Sequence, residues 1–483
     1  MLLYCKLADL TGNFPVLEFT LETLDIMEDI KEIIERQTRF FGRSKTRDIE
    51  FRKRQLRKLK ALLKANERKL YEAIYRDFRK SEFETYETEL SILYGEINAA
   101  VKNLDRWSKP KRVRTNLANM PGSSFIIPEP YGKVLVIGAW NYPYLLSLSP
   151  VVAAVAAGNT VVLKPSEISA ESSAVIASVI NGNFPDDFLT VVEGGVAETQ
   201  SLLAHRWDYI FFTGSPHVGK IVYQAAAKHL TPVTLELGGK SPAIVFDDAE
   251  LKIAAKRIVW GKFLNAGQTC IAPDFLLVHK KISGEFLSLI TNEIKILYGE
   301  KPSESEAFTA IINDRNFDRL NFLLQSSTVY YGGVTDAAKR YISPTVLYPV
   351  NFEEEVMKQE IFGPLLPVIE FDDFDHVLPK LKAMEKPLAL YVFTSGVQNE
   401  EKVLRELSFG GGAVNDTIFH FANPYLPFGG VGNSGIGAYH HYEGFKTFSH
   451  MKGIVKKATW FDPFMKYPPY TALKKKLIRF FVE

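Results

Sequence analysis

Cysteine is nearly absent from this sequence, with only Cys5 and Cys270 in 483 residues. So low a count excludes a disulfide framework and fits a reducing, cytoplasmic compartment, where a single thiol is free for chemistry. An excess of one charge is missing too. With 58 Lys and Arg against 56 Asp and Glu, the formal net charge is +2, which gives no electrostatic case for nucleic acid. The nine histidines are scattered, with no HExxH or CxxC spacing, so no metal site is expected. No apolar run reaches the roughly 18 residues of a membrane-spanning helix. No basic stretch precedes the apolar start Met1–Tyr4, which argues against a signal peptide, and Asp9 and Glu18 argue against a transit peptide.

What the chain does have is length and alternation. Its 483 residues exceed one compact core, so two or three domains are expected. From about Met27 to Trp107 apolar residues recur at helical spacing, as in Ile49, Leu56, Leu59, Leu63 and then Leu90, Leu93, Ile97, Val101. The charged faces between them read as solvated helix surface. Lys109–Pro121 breaks the pattern and reads as a connector. Beyond Gly132, β-rich runs (134–137, 160–163, 189–192, 209–212) alternate with helical stretches, and a second such unit runs from Pro242 to Phe393. Strand and helix in alternation imply parallel sheets covered on both faces, with ligands at the carboxyl ends of the strands.

The chemically suggestive residues follow those strands. Asn141, in Trp140-Asn141-Tyr142-Pro143, offers a neutral amide to a developing oxyanion, although asparagine also simply forms turns. Lys164 and Glu167, in Lys164-Pro165-Ser166-Glu167, suit the two hydroxyls of a ribose; the same segment also reads as a helix start capped by Ser166. A carboxylate there would repel a 2′-phosphate and favour NAD over NADP. Gly214-Ser215-Pro216-His217-Val218-Gly219 lets backbone N–H groups approach a pyrophosphate, but it is neither GxGxxG nor a complete Walker loop. Glu236 stands between Leu235 and Leu237, a desolvated setting that suits a general base, unless it forms an ion pair with Lys240. Cys270, in Asn265-Ala266-Gly267-Gln268-Thr269-Cys270, sits in a flexible loop where a thiolate nucleophile is chemically reasonable; a lone cysteine is more often a small buried hydrophobe.

In combination and in this order, these motifs resemble the aldehyde dehydrogenase superfamily. Gln359-Glu360-Ile361-Phe362-Gly363-Pro364 belongs to the same order, and the segments Leu230–Pro242, Trp260–Phe263, Cys270–Asp274, Lys386–Tyr391, Leu426–Gly435 and Tyr467–Tyr470 look like its class 3 branch, over about Met27 to Tyr470. The resemblance implies an α/β fold: a Rossmann-type dinucleotide-binding domain (27–109 and 132–234), an α/β catalytic domain (235–417), and a small β oligomerisation arm (110–131 and 418–455). An atypical N-terminal extension (1–26) and a basic-aromatic tail (456–483) flank them. It implies NAD(P)-dependent oxidation of aldehydes, of medium or long aliphatic or aromatic type, through a Cys270 thioester. Cys270 would be the nucleophile, Glu236 the base that activates water, and Asn141 the oxyanion donor beside the Cys270 N–H. Cofactor contacts would come from Trp140, Lys164, Glu167, Gly214, Ser215, Val218, Gly219, Leu237, Glu360 and Phe362. A homodimer is implied as well. Tyr142 and Phe263 are expected to line an apolar substrate funnel. Two other classes stay open at this stage, a binding protein that kept the fold and a cofactor-independent thiol esterase.

The tail adds one reading of its own. Leu473, Leu477, Phe480 and Phe481 recur at helical spacing beside Lys474, Lys475, Lys476 and Arg479. Such a helix suits either peripheral contact with an anionic membrane or an ordinary solvated terminus.

Overall fold

A computed structural model describes residues 21–482, so Cys5 and most of the N-terminal extension lie outside the described residues. Four long helices come first: Leu21–Gly42, Ile49–Ala65, Glu67–Phe78 and Ser91–Trp107. The second starts where the Asp48 side chain accepts from the N–H groups of Glu50 and Phe51, filling two donors that a helix start leaves free. It buries Leu56, Leu59 and Leu63, one apolar stripe at helical spacing.

These helices pack around a six-stranded sheet whose spatial order is Gly435–Ile436, Val233–Glu236, Tyr209–Thr213, Lys133–Ile137, Thr160–Lys164, Leu189–Val191. The last five are parallel and Gly435–Ile436 joins antiparallel. Read in chain order, the five run 3-2-1-4-5, so the order reverses between Lys133–Ile137 and Tyr209–Thr213. Crevices open at such a switch point, at the carboxyl ends of the strands. The helix Pro143–Ala157 leaves the first of these strands and is buried on every side. Proline stands at its start, where no N–H is needed, and the buried Arg52 guanidinium donates to the Ala156 carbonyl (3.2 Å) at its end.

The second sheet has seven strands, in the order Val329–Tyr331, Thr345–Leu347, Leu365–Phe371, Phe275–His279, Pro242–Val245, Ala389–Phe393, Gly411–Val414. All are parallel except the first, an antiparallel edge. Gly411–Val414 lies where the sequence reads as a glycine-rich stretch. Glycine is required there by close packing, since a Cβ on Gly412 would lie 2.1 Å from the Leu390 carbonyl oxygen.

A third, antiparallel sheet joins Lys111–Val113, Gly122–Pro130 and Ser449–Lys457, so the expected connector holds a short strand. Residues 418–448 do not join this arm. Gly435 pairs with Glu236 instead, and the helix His441–Thr447 packs on Pro143–Ala157. The expected arm boundary at 418 therefore moves to Ser449. The tail ends in the helix Ala472–Val482.

Candidate active site

Two loops meet at the switch-point end of the six-stranded sheet. The first follows Lys133–Ile137 and carries Asn141, whose side chain is buried. Its Nδ2 donates to the Gln268 carbonyl at 3.0 Å, while its own carbonyl accepts from Asn265 Nδ2 at 2.9 Å. An amide nitrogen has two protons, and this bond uses one of them.

The second loop carries Cys270. It leaves the helix Leu251–Phe263 through Asn265 (φ 54°) and Ala266 (φ 50°), two consecutive non-glycine residues in the left-handed region, followed by Gly267 at φ 73°. That backbone is strained and persists only where its surroundings fix it. The fixing contacts are plain. Gln268 Nε2 donates to the carbonyls of Asn265 and Ala310 (3.1 Å each), and its Oε1 accepts from Ile312 N–H (3.0 Å). The Tyr142 and Thr269 hydroxyls are bonded at 2.6 Å, and Tyr391 donates to the Ile271 carbonyl at 2.5 Å. A Cβ on Gly267 would lie 2.3 Å from the Gly363 carbonyl oxygen, so the loop rests directly on the Glu360–Gly363 segment.

Charge is arranged unusually here. Glu236, at the end of its strand, is 3% exposed, and neither carboxylate oxygen has a hydrogen-bond partner. Burial alone pushes its carboxyl well above the ordinary range. The Lys240 ion pair considered above does not form. Lys240 binds Asp274 at 2.5 Å and the carbonyls of Val356 and Gln359 at 3.0 Å each. Burial also pushes the Cys270 thiol up, followed by the negative fields of Glu360 and Glu236, while the N–H groups of Cys270 and Ile271 oppose the shift. Burial pushes Glu360 up to about 8, with Asp274 adding to it and the Gly239 N–H opposing. The half-buried Cys270 thus lies in the fields of both carboxylates, and its loop is bonded to the Asn141 amide through the Gln268 carbonyl. The hydroxyl of Tyr439, buried and also without a partner, faces the same fields.

The residues expected to touch a dinucleotide mostly follow the carboxyl ends of neighbouring strands. Trp140 and Phe362 meet edge to face, with ring centroids 5.4 Å apart. Glu360 lies against Gly238, where a Cβ would come within 2.2 Å of its carboxylate. Lys164 donates to Glu167 at 2.5 Å; the lysine is buried and the glutamate reaches solvent. Ser215 caps the helix Pro216–Ala227, which directly follows the strand Tyr209–Thr213, by accepting from the Val218 N–H (3.4 Å). Gly214 N–H holds the Glu236 carbonyl at 3.0 Å, and Leu237 packs where a Cβ on Gly219 would stand, 2.7 Å away. A helix N-terminus, a lysine at a strand end and an aromatic pair are groups of the kinds that hold the phosphates, ribose and ring of a dinucleotide.

Several expectations need correction. Phe263 is 1% exposed and packs edge-on against Tyr298, so it belongs to the core rather than to a funnel wall. The charged helix faces near the N-terminus are only partly solvated, because Arg52, Lys53, Lys80, Glu84, Glu89 and Glu96 are buried. Sequence reasoning missed Lys80, Glu84 and Glu89, since a charged residue at helical spacing carries no sign of what it will meet. It also passed over Asn265, Gln268 and Lys262. The first two lie inside the motif around Cys270. Lys262 is fully buried, its Nζ has no hydrogen-bond partner, and burial lowers it to about 8.

Comparison with known proteins gives the family. The profile described as the aldehyde dehydrogenase family matches residues 24–454. The 4,4′-diaponeurosporen-aldehyde dehydrogenase of Staphylococcus aureus is 44% identical over 444 residues, covering 92% of this chain and 97% of that protein. A dimeric, NADP-preferring aldehyde dehydrogenase of Rattus norvegicus is 42% identical over 448 residues, covering 92% and 99%. Among solved structures, the substrate-bound state of Staphylococcus aureus AldH superposes with a TM-score of 0.92 at 43% identity, covering 94% of this chain and 99% of that one.

Proposed function

The chain belongs to the aldehyde dehydrogenase family, in the class 3 branch, and oxidises aldehydes to carboxylic acids with NAD or NADP; on that premise we propose that Cys270 is the nucleophile, Glu236 the general base and Asn141 the oxyanion donor. The observation that carries this reading is the buried Glu236 carboxylate, which has no hydrogen-bond partner. That carboxylate lies in the field of the half-buried Cys270 thiol, whose loop is bonded to an amide with a proton to spare. The Cys270 sulfur adds to the aldehyde carbon, and the oxygen that becomes negative takes hydrogen bonds from Asn141 Nδ2 and the Cys270 N–H. Each such donor contributes on the order of 3 kcal/mol to the transition state. This addition gives a thiohemiacetal; sulfur suits the step because the thioester left once the adduct has lost its hydride is a good acyl donor. Glu236, lifted in pKa by burial, then takes a proton from the water that cleaves it.

The bound cofactor supplies the hydride acceptor. Lys164 and Glu167 are assigned to its adenosine ribose, and Gly214, Ser215, Val218 and Gly219 to the pyrophosphate, with Leu237 beneath. Trp140, Glu360 and Phe362 are assigned to the nicotinamide and its ribose. The Lys164–Glu167 pair favours NAD, because a 2′-phosphate would meet the Glu167 carboxylate. Replacing Cys270 by Ala tests the reading. Aldehyde oxidation should fall by about a thousandfold or more, with cofactor binding, read by quenching of protein fluorescence, unchanged. An active Cys270→Ala enzyme contradicts it.

The substrate we assign is a medium or long aliphatic, or an aromatic, aldehyde; the Staphylococcus relative is named for 4,4′-diaponeurosporen-aldehyde. A homodimer is supported by the arm, whose outer strand Ser449–Lys457 exposes Met451, Ile454 and Val455 along an unpaired edge. Among the described residues no helix is long and apolar enough to cross a membrane. The helix Ala472–Val482 exposes Leu473, Ile478 and Phe480 beside Lys475 and Lys476, which supports peripheral contact of a cytoplasmic enzyme with an anionic membrane. Flotation with phosphatidylserine vesicles tests this; equal flotation with and without residues 472–483 contradicts it.

A further inference from the structure

The short segment Lys80–Leu90, which nothing above assigns to the reaction, reaches both arms of the oxyanion site. Glu82–Thr85 is one helical turn, continued by the wider π turn Tyr86–Leu90. Lys80, Glu84 and Glu89 all point inward and are buried. On the Asn141 side, Glu89 accepts from the N–H groups of Tyr144 (2.8 Å) and Leu145 (3.2 Å), which start the helix after Asn141. Lys80 bonds Glu89 at 2.8 Å and lies 4.0 Å from the centre of the Tyr142 ring. On the Cys270 side, Glu84 Oε1 accepts from the Asn265 N–H at 2.9 Å, and its Oε2 faces the Thr309 hydroxyl at 3.4 Å.

The Asn265 contact falls at a decisive point. Asn265 opens the left-handed pair (φ 54° and 50°) that turns the chain toward Cys270. Its side chain also holds the Asn141 carbonyl (2.9 Å) and the Gln268 carbonyl (3.2 Å). Fixing the backbone of Asn265 therefore sets the register of both oxyanion donors at once. A non-glycine residue in this region is strained and relaxes if its anchor is removed.

We propose that Glu84 is a positioning residue for the oxyanion hole: its carboxylate anchors the Asn265–Ala266 turn and so fixes where the Cys270 N–H and the Asn141 amide converge. This rests on the roles given to Cys270 and Asn141 above. Glu84 touches neither substrate nor cofactor, so its removal should slow chemistry and leave cofactor affinity alone.

Reach, rather than charge, is what the anchor needs. Glu84→Asp keeps the carboxylate but shortens it by a methylene, and Glu84→Gln keeps the length and an acceptor oxygen. Rapid mixing of each variant with NAD and a saturating aldehyde gives a burst of NADH. Its amplitude counts competent sites and its rate reads positioning, so loss of folded protein alone does not move the rate. Glu84→Asp should slow the burst by about ten- to a hundredfold, because small misplacements near a reacting centre are costly, while Glu84→Gln stays within about threefold and both keep the cofactor Kd within about twofold. A burst rate in Glu84→Asp equal to the unmodified enzyme's overturns the proposal, as does an equal slowing in Glu84→Gln. The isosteric Glu84→Gln carries the test alone if Glu84→Asp yields no folded protein. Cys270→Ala is run in parallel. A burst in that control would overturn the nucleophile assignment, whereas its absence together with a normal Glu84→Asp overturns only the role of Glu84.

Discussion

Glu236 at the end of its strand and the pair Glu84 and Glu89 on the N-terminal helices are equally hidden from water, at 3%, 6% and 0% exposure. They differ in company. Glu84 and Glu89 have a partner on every carboxylate oxygen: the Asn265 N–H and Thr309 hydroxyl for one, Lys80 and two helix-start N–H groups for the other. Glu236 has none. Buried polar groups are normally satisfied, so a lone buried carboxylate lowers stability and is kept for another reason. The titration follows the same division. Burial drives Glu236 well above the ordinary carboxyl range unopposed; it also raises Glu84, but to about 7, because Lys80 and the Asn265 N–H oppose it. Satisfied carboxylates build the frame, and the unsatisfied one is left free to move a proton.

The comparison can be broken in order of effect. Asn141→Ala removes an oxyanion donor, and the hydride step should slow about 10²- to 10³-fold, read as the NADH burst rate. An unchanged rate would mean that the spare amide proton marks nothing. Lys80→Met strips the partner from Glu89 inside the frame and should destabilise the fold by about 3–5 kcal/mol in denaturant unfolding. Glu236→Gln should lose no stability at neutral pH; a loss as large as that of Lys80→Met would erase the distinction between the two regions.

The smallest effect concerns pH. Because the folded-state pKa of Glu236 is raised above its ordinary value of 4.5, the folded chain holds this proton longer than the unfolded chain does. Its contribution is therefore favourable below the ordinary value and is lost as pH rises through the window up to the folded value. Glu236→Gln removes that slope. Its Tm relative to the unmodified enzyme should climb by about 2 °C between roughly pH 5 and pH 9, and a Tm difference that does not change with pH would contradict the assignment of the shift to this residue.

Much of this was legible in the sequence. Short β-rich runs marked the strands of the first sheet, period-3.6 runs marked the N-terminal helices, and the residues after the strand ends pointed to the crevice. Asn141, Lys164, Glu236 and Cys270 were found individually, but each had an innocent reading until their order matched a family. Lys80, Glu84 and Glu89 were hidden because helical spacing shows which residues share a face, not whether a later loop will cover that face. The left-handed turn at Asn265 was equally silent, since neither Asn265 nor Ala266 announces a positive φ as glycine does. The arm boundary was misplaced for a related reason. Gly435 pairs with Glu236 through backbone alone, and no side-chain pattern records such a bond.

The central claim is that Glu236 acts after hydride transfer, on the thioester, and rapid mixing of Glu236→Gln with NAD and aldehyde tests it most directly. A full burst of NADH, one per active site, should persist while steady-state turnover falls about 10²- to 10⁴-fold. Slow turnover with no burst would place the defect at or before hydride transfer and contradict the account.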